Sequence, residues 1–193
     1  FETLVHLLCH LGNQPGIIFC NFKDTIQEVS DFLNDNNIGH GCFYGGMEQK
    51  DRERALIKFR NGTHRLIVAT DLAARGIDVD DLQYVVNFEL PNIPESYVHR
   101  IGRTGRAGAA GTAFSFCDAE EKAYLKDIEK LIGKKIPVLE NELYPLIDHN
   151  PVKAPKQQHQ RRPQPSAKKA APTSNPATPA PKKKKKWHSR PKG

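Results

Sequence analysis

The chain has 193 residues, of which 26% are charged and 38% hydrophobic, enough for one domain of ordinary size and an appendage. Residues 1–150 carry 16 Lys and Arg against 22 Asp and Glu, a net charge of −6, whereas residues 151–193 carry 13 basic and no acidic residues. This distribution excludes a uniformly basic nucleic-acid-binding domain, so a nucleic-acid contact on the first part must be local.

The N-terminal segment, FETLVHLLCHLG, has the pattern of an amphipathic helix and is too short to span a membrane. Its abrupt start predicts that the chain is a fragment. The four cysteines are widely spaced and include no CxxC pair, so neither a metal site nor a disulfide-exchange motif is predicted. Because most of the cysteines lie in apolar runs and no secretory signal is visible, we expect reduced core thiols in a cytoplasmic protein.

From Gly16 onward, short apolar runs alternate with segments of helical spacing, which predicts an α/β fold with a parallel sheet flanked by helices. The strand candidates are residues 16–22, 38–44, 65–70, 84–89 and 111–117. Two crossover helices are predicted where apolar residues recur at helical spacing, at Ile26, Val29, Phe32 and Leu33 and at Ala55, Leu56 and Phe59. A last helix is predicted over residues 119–131, with Gly133 where a helix would stop.

The composition changes beyond Asn150, where nine of the fourteen prolines lie and no Leu, Ile or Phe occurs. Such a segment cannot bury a core, so residues 1–150 are predicted to form the domain and residues 151–193 a disordered, Lys-, Pro- and Ala-rich basic tail. The lysines at 182–186 with Trp187 predict nonspecific RNA tethering. A solubilising charge run and a nuclear-targeting signal are the alternatives.

The run HRIGRTGR, at residues 99–106, places three arginines at intervals of three with glycines between them. On a helix and the loop that follows, this spacing presents guanidinium groups to one polyanionic ligand, and the glycines allow close approach. A surface turn with ordinary salt bridges is equally compatible with this run alone. A dinucleotide site is excluded because the glycines are spaced GxxGxxG.

A second polar run, ATDLAARGID at residues 69–78, follows the strand candidate RLIVAT. Ligands of open α/β sheets bind outside the carboxyl ends of the strands, so this run lies where a site is expected. Taken alone, it is equally compatible with a connecting loop in which Thr and Asp cap the next turn.

Together the two runs resemble, without a mismatch, the motifs of the DEAD-box family of ATP-dependent RNA helicases. The resemblance covers residues 1–146 and implies the C-terminal RecA-like domain of an RNA-dependent ATPase that locally unwinds RNA duplexes. It implies ATP with Mg²⁺ as cofactor, bound mainly by an upstream domain. The implied partners are the RNA backbone, with low sequence specificity, and the N-terminal RecA-like domain of the same parent chain. A monomer without membrane contact is expected.

The resemblance also implies roles for single residues. Arg103 and Arg106 resemble arginine fingers that reach the ATP γ-phosphate, and His99 resembles the residue that links this domain to the DEAD carboxylates. Gly76 and Asp78 match nucleotide-binding positions, Asp78 at the ribose. Such a set fits phosphoryl transfer, in which positioning and cations supply most of the catalysis.

For RNA, the resemblance implies contacts from Gly46, Gln49, Arg52 and Thr70. Backbone amides at a helix N-terminus together with one arginine would hold a phosphate without reading bases. The alternative for Gln49 and Arg52 is the exposed face of an amphipathic helix. For Arg100, within the first run, a structural ion pair is expected.

One position departs from the family pattern, because Phe22 stands where a hydroxyl residue is usual. The phosphate contact of that hydroxyl would be weakened or lost. As an alternative use of this position, the Phe22 ring would pack under the neighbouring helix.

No GxxxxGK[ST] loop and no DEAD sequence occur, so no segment can cradle the β- and γ-phosphates or hold Mg²⁺. The chain alone is therefore predicted not to hydrolyse ATP. Two alternatives stay open. A stand-alone RNA-binding or annealing module is disfavoured because it would have no use for arginine fingers. DNA could replace RNA, since backbone contacts to single strands are shared by both polymers.

Overall fold

The computed structural model describes residues 1–77, 79, 82–105 and 110–139. The predicted tail, and the predicted domain boundary at Asn150, lie outside the described residues, as do two of the predicted site residues, Asp78 and Arg106.

Among the described residues, five parallel strands form one sheet in the order β2-β3-β1-β4-β5. The strands are β1 (Gly16–Phe19), β2 (His40–Phe43), β3 (Leu66–Ala69), β4 (Tyr84–Asn87) and β5 (Thr112–Ser115). The central strand β1 pairs with β3 and β4, and Ile17 lies opposite Ile67 on one side and Val85 on the other. The predicted parallel sheet is confirmed, with each strand shorter than its candidate run.

In the described ranges, six helices flank the sheet: α1 (Glu2–Leu11), α2 (Lys23–Asp35), α3 (Gln49–Arg60), α4 (Asp71–Ala74), α5 (Pro94–Ile101) and α6 (Lys122–Ile132). Pro94 begins α5, where a missing N–H costs nothing, and α6 stops at Gly133 with a left-handed φ of 67°. The helices predicted in these regions are confirmed. None of the helices in the described ranges is long and apolar enough to cross a membrane.

Both faces of the three inner strands, β3, β1 and β4, are covered, which explains why these strands are apolar on both sides. On one face Ile18, Val68 and Val86 pack with residues of α1 and α2. On the other face Ile17 and Ile67 pack with residues of α3 and α4. A smaller cluster of Leu90, Tyr97 and Ile128 joins α5 to α6 beyond the end of β4.

All four cysteines are free, as predicted, but their burial is mixed. Cys20 is fully buried, and burial raises the pKa of its thiol. Cys9 is exposed on α1, so it is not the core thiol that its apolar surroundings in the sequence suggested.

Glu121, at the start of α6, joins that helix to the loop after β4. Its Oε1 accepts the Leu90 N–H at 2.8 Å and its Oε2 accepts the Asp118 N–H at 3.3 Å. Burial, opposed by these two hydrogen bonds and assisted by the charges of Asp118 and Glu89, raises the pKa of Glu121 to about 7.

The titration of Glu121 predicts a pH-dependent stability. Because the pKa of Glu121 is raised in the folded state, the contribution of this side chain to the free energy of unfolding is complete below the ordinary pKa of 4.5. This contribution is lost as the pH rises through about 7. We expect the thermal midpoint of the wild type to fall between pH 5 and pH 8 relative to that of Glu121→Gln, measured by circular dichroism. Parallel pH profiles of the two proteins would contradict this assignment.

Candidate functional site

The carboxyl ends of the five strands meet at one edge of the sheet because all five are parallel. At this edge α2 begins after β1, the loop that contains Gly45 and Gly46 leads from β2 to α3, and α4 follows β3. Both polar runs identified in the sequence reach this edge. The run ATDLAARGID contains α4 and the turn after it, and the run HRIGRTGR begins in the last turn of α5 and continues into the following turn. This is the edge at which open α/β sheets bind ligands.

The Arg100 guanidinium forms the centre of this edge and is 1% exposed. All five of its N–H groups have acceptors. Nε and Nη2 donate to the two carboxylate oxygens of Asp71, each at 2.8 Å, and Nη2 also donates to Asn21 Oδ1 at 2.7 Å. Nη1 donates to the Glu89 carbonyl at 2.7 Å and to Asn87 Oδ1 at 3.3 Å. The predicted structural ion pair of Arg100 is thus confirmed, in bidentate form.

The acceptors of Arg100 come from the ends of three adjacent strands, β1, β3 and β4. The guanidinium also lies over the Phe19 ring, 5.2 Å from its centroid. Asn21 and Asn87 were not predicted from the sequence as parts of this network. A detectable signal existed, since each is an asparagine at the carboxyl end of an apolar strand run, and Asn87 is fully buried.

His99 and Arg103 lie on the solvent side of Arg100. The two side chains line one small pocket together with Asp71, Arg75 and Ser96. The Arg103 N–H donates to the Arg100 carbonyl at 3.1 Å, which continues the turn of α5 and keeps Arg103 beside the network. The structure therefore brings together two of the three predicted catalytic residues and adds Arg75, which the sequence analysis had not singled out.

All four predicted RNA-binding residues are exposed or half-buried at the neighbouring part of the edge. Gly46 has a φ of +83°, a conformation that favours glycine. Gln49 begins α3 and donates to Glu53 Oε1 at 2.9 Å on the exposed face of the helix. Thr70 precedes α4 and makes no side-chain capping bond there, so its hydroxyl does not serve the capping role of the alternative interpretation.

The fourth residue, Arg52, is half-buried rather than part of a fully exposed helix face. Its Nη2 donates to the Ala73 carbonyl at 2.8 Å, and its guanidinium carbon lies 5.8 Å from the centroid of the Phe43 ring. Gly76, predicted to contact nucleotide, lies against this guanidinium.

Phe22 precedes α2, and its ring is 65% exposed. The expectation that it packs under the neighbouring helix is wrong. The buried side of α2 is formed by Ile26, Val29 and Leu33, which lie a turn or more further along the helix. Position 22 stays outside this apolar stripe because it is the residue before the helix, with extended backbone angles.

The family model that describes the helicase conserved C-terminal domain matches residues 1–108 of this chain. The chain belongs to this family. Both diagnostic runs up to Arg106 lie within the matched residues. The family inferred from the motifs is therefore confirmed.

This helicase C-terminal domain is similar to named DEAD-box helicases. It is 44% identical over 142 residues to the ATP-dependent RNA helicase DbpA of Bacillus subtilis, covering 72% of this chain and 29% of the relative. It is 47% identical over 126 residues to DbpA of Escherichia coli, covering 64% and 28%. The chain thus spans roughly a third of the length of the curated relatives that it matches.

Solved structures show the same fold. The E. coli DEAD-box protein SrmB, bound to the regulator of ribonuclease activity A, superposes with a TM-score of 0.72 at 33% identity, covering 79% of this chain and 89% of that one. A DEAD box protein from Methanococcus jannaschii has a TM-score of 0.66 at 40% identity, covering 72% and 38%. The RecA-like class of the predicted α/β fold is confirmed.

Proposed function

We propose that this helicase C-terminal domain supplies half of the motor of an ATP-dependent RNA helicase, which hydrolyses ATP when RNA is bound and locally separates RNA duplexes. The observation that carries the proposal is the Arg100 network. It fixes His99 and Arg103 at the carboxyl edge of the sheet, beside α4, where a second domain could present a nucleotide.

The residues around the pocket fit a nucleotide phosphate. Arg75, His99 and Arg103 gather nitrogen donors on one small surface, and Arg100 is already neutralised by Asp71. ATP supplies the phosphoryl group that is transferred. The side chain of Arg103, and by the family resemblance that of Arg106, would place positive charge where negative charge develops. The upstream domain would bind Mg²⁺ and make most of the contacts with the nucleotide.

RNA is the proposed ligand of the adjoining surface formed by Gly46, Gln49, Arg52 and Thr70. Gly46 lies in a loop that exposes main-chain groups, Gln49 begins a helix, Thr70 has a hydroxyl and Arg52 a guanidinium. All of these groups can bind the sugar-phosphate backbone of RNA. Such contacts bind phosphate and sugar without reading bases, so the sequence specificity should be low. Among the relatives' structures, Saccharomyces cerevisiae Dbp5 is described bound to RNA and ADP BeF3.

RNA-stimulated ATP hydrolysis tests the proposal directly. The assay compares this chain alone, the chain mixed with the upstream domain of B. subtilis DbpA, and the two covalently joined. We expect no hydrolysis by the chain alone and RNA-dependent hydrolysis by the joined protein, because only the latter holds the phosphate-binding loop. A joined protein that binds RNA but hydrolyses no ATP would favour the stand-alone binding module. Equal stimulation by RNA and by single-stranded DNA would remove the preference for RNA.

A further inference from the structure

Arg52 is held in place before any ligand arrives. One nitrogen, Nη2, donates to the Ala73 carbonyl at 2.8 Å, which is a carbonyl in the last turn of α4. The guanidinium lies over Phe43, at the end of β2. Within the described part of the chain, Nε and Nη1 donate to no other residue. With respect to the described residues, most N–H groups of Arg52 are thus available to an external acceptor, and the anchored side chain would lose little freedom on binding.

Gly76 provides the space that this arrangement needs. A Cβ atom on Gly76 would lie 2.9 Å from Arg52 Nη2, closer than side-chain carbons ordinarily approach. The next contact, to the Arg52 guanidinium carbon, would be at 3.9 Å, so Arg52 is the only described side chain in its way. The guanidinium is the far end of a flexible side chain, which a methyl group would push away from its anchor.

The backbone does not require glycine at this position. Gly76 is absent from the residues of positive φ among those described, whereas Gly46 and Gly105 are present. The Gly76 N–H makes an ordinary turn bond to Ala73 at 3.4 Å, which alanine would keep. The contact with Arg52 is therefore the structural reason for a glycine here.

We propose that Gly76 is a positioning residue for RNA binding, which leaves room for the Arg52 guanidinium to be anchored on Ala73 and directed at an RNA phosphate. The proposal rests on the proposed function in taking RNA as the ligand of Arg52. It adds a physical connection between the two sites, because the turn that carries Gly76 follows α4 and Arg75, which line the nucleotide-side pocket.

The test is the affinity of the full chain for a single-stranded RNA of about ten nucleotides, without nucleotide, measured by fluorescence anisotropy at several salt concentrations. The proteins are the wild type, Gly76→Ala, Arg52→Ala and the double variant. Gly39→Ala is the matched control. A Cβ at Gly39 would lie at an ordinary contact distance of 3.5 Å from its nearest neighbour, the His64 ring, and Gly39 precedes β2 at the opposite end of the strands. The tail is the same in every protein, so differences report on the substituted positions.

Gly76→Ala and Arg52→Ala should each weaken RNA binding about tenfold, as expected for the loss of one charge-assisted hydrogen bond. Each should also reduce the salt slope by roughly 0.7, the share of one phosphate contact on a single strand. In the Arg52→Ala background, Gly76→Ala should have no further effect. Gly39→Ala should bind like the wild type.

Several results would overturn the proposal. If Gly76→Ala binds RNA as the wild type does, or if the two effects simply add, Gly76 does not act through Arg52. A loss of affinity without a change of salt slope would indicate general damage to the fold. If Arg52→Ala binds like the wild type, Arg52 does not hold a phosphate. A wild-type chain that binds no RNA would instead sink the proposed function itself.

Discussion

Arg103→Ala, in this chain joined to an upstream helicase domain, should lower RNA-stimulated ATP turnover by about a thousandfold or more. Arg103 lines the pocket beside His99, and its main chain is tied to Arg100 by a hydrogen bond of 3.1 Å. Arg103 thus lies in the turn that directly follows α5. An arginine that stabilises charge only in the transition state lowers kcat when it is removed and leaves ground-state binding nearly unchanged.

Steady-state kinetics with saturating RNA would measure this effect, and RNA affinity would be measured in parallel. Arg65→Ala is a suitable control, because Arg65 is an exposed arginine that precedes β3 at the opposite edge of the sheet. Arg103→Lys separates charge from shape, since lysine keeps the charge but lacks the planar fork. Turnover of Arg103→Ala within about threefold of the wild type would refute the finger role, which calls for a far larger effect.

The second large effect concerns stability. Arg100→Ala should lower the free energy of unfolding by about 3–5 kcal/mol, because it removes the buried partner of an ion pair whose Asp71 side chain is 30% exposed, and it leaves several acceptors without a donor. That is a large part of the stability of an ordinary domain. Urea denaturation followed by circular dichroism would measure it.

The matched control for Arg100 is Arg54, whose ion pair with Asp51 is 3.4 Å long and exposed on both sides. Arg54→Ala should change the free energy of unfolding by less than about 1 kcal/mol. If Arg100→Ala does not fold, Asp71→Asn tests the same network, because it keeps the shape and removes the carboxylate charge. A change below about 1 kcal/mol in both Arg100→Ala and Asp71→Asn would show that the network is not a stabilising centre.

The structure shows where several of the predicted catalytic and RNA-binding residues lie. His99, Arg103 and Thr70 lie at the expected edge of the sheet, and Arg52 lies there in an anchored form. Their roles stay predictions until the kinetic and binding measurements are made. The predicted roles of Arg106 and Asp78 rest on the family resemblance.

The class of fold and the family follow from the amino-acid sequence alone. Alternation of apolar strands with helical spacing is a short-range property, which can be read within a window of about 11–18 residues. The same holds for HRIGRTGR and ATDLAARGID, whose residues are contiguous. Positions that depend only on local backbone, such as the end of α6 at Gly133, were predicted for the same reason.

Which side chains meet depends on how the strands and helices pack in three dimensions. The sheet order β2-β3-β1-β4-β5 differs from the chain order, so Arg100 finds acceptors 79, 29 and 13 residues away in Asn21, Asp71 and Asn87. Likewise Arg52 reaches a carbonyl 21 residues away at Ala73. The periodicity of apolar residues predicts which face of a helix or strand is buried, but not which helix or strand packs against that face. The pairing of the five strands determines these neighbours, and with them the burial of Arg100 and the contact of Arg52 with Ala73.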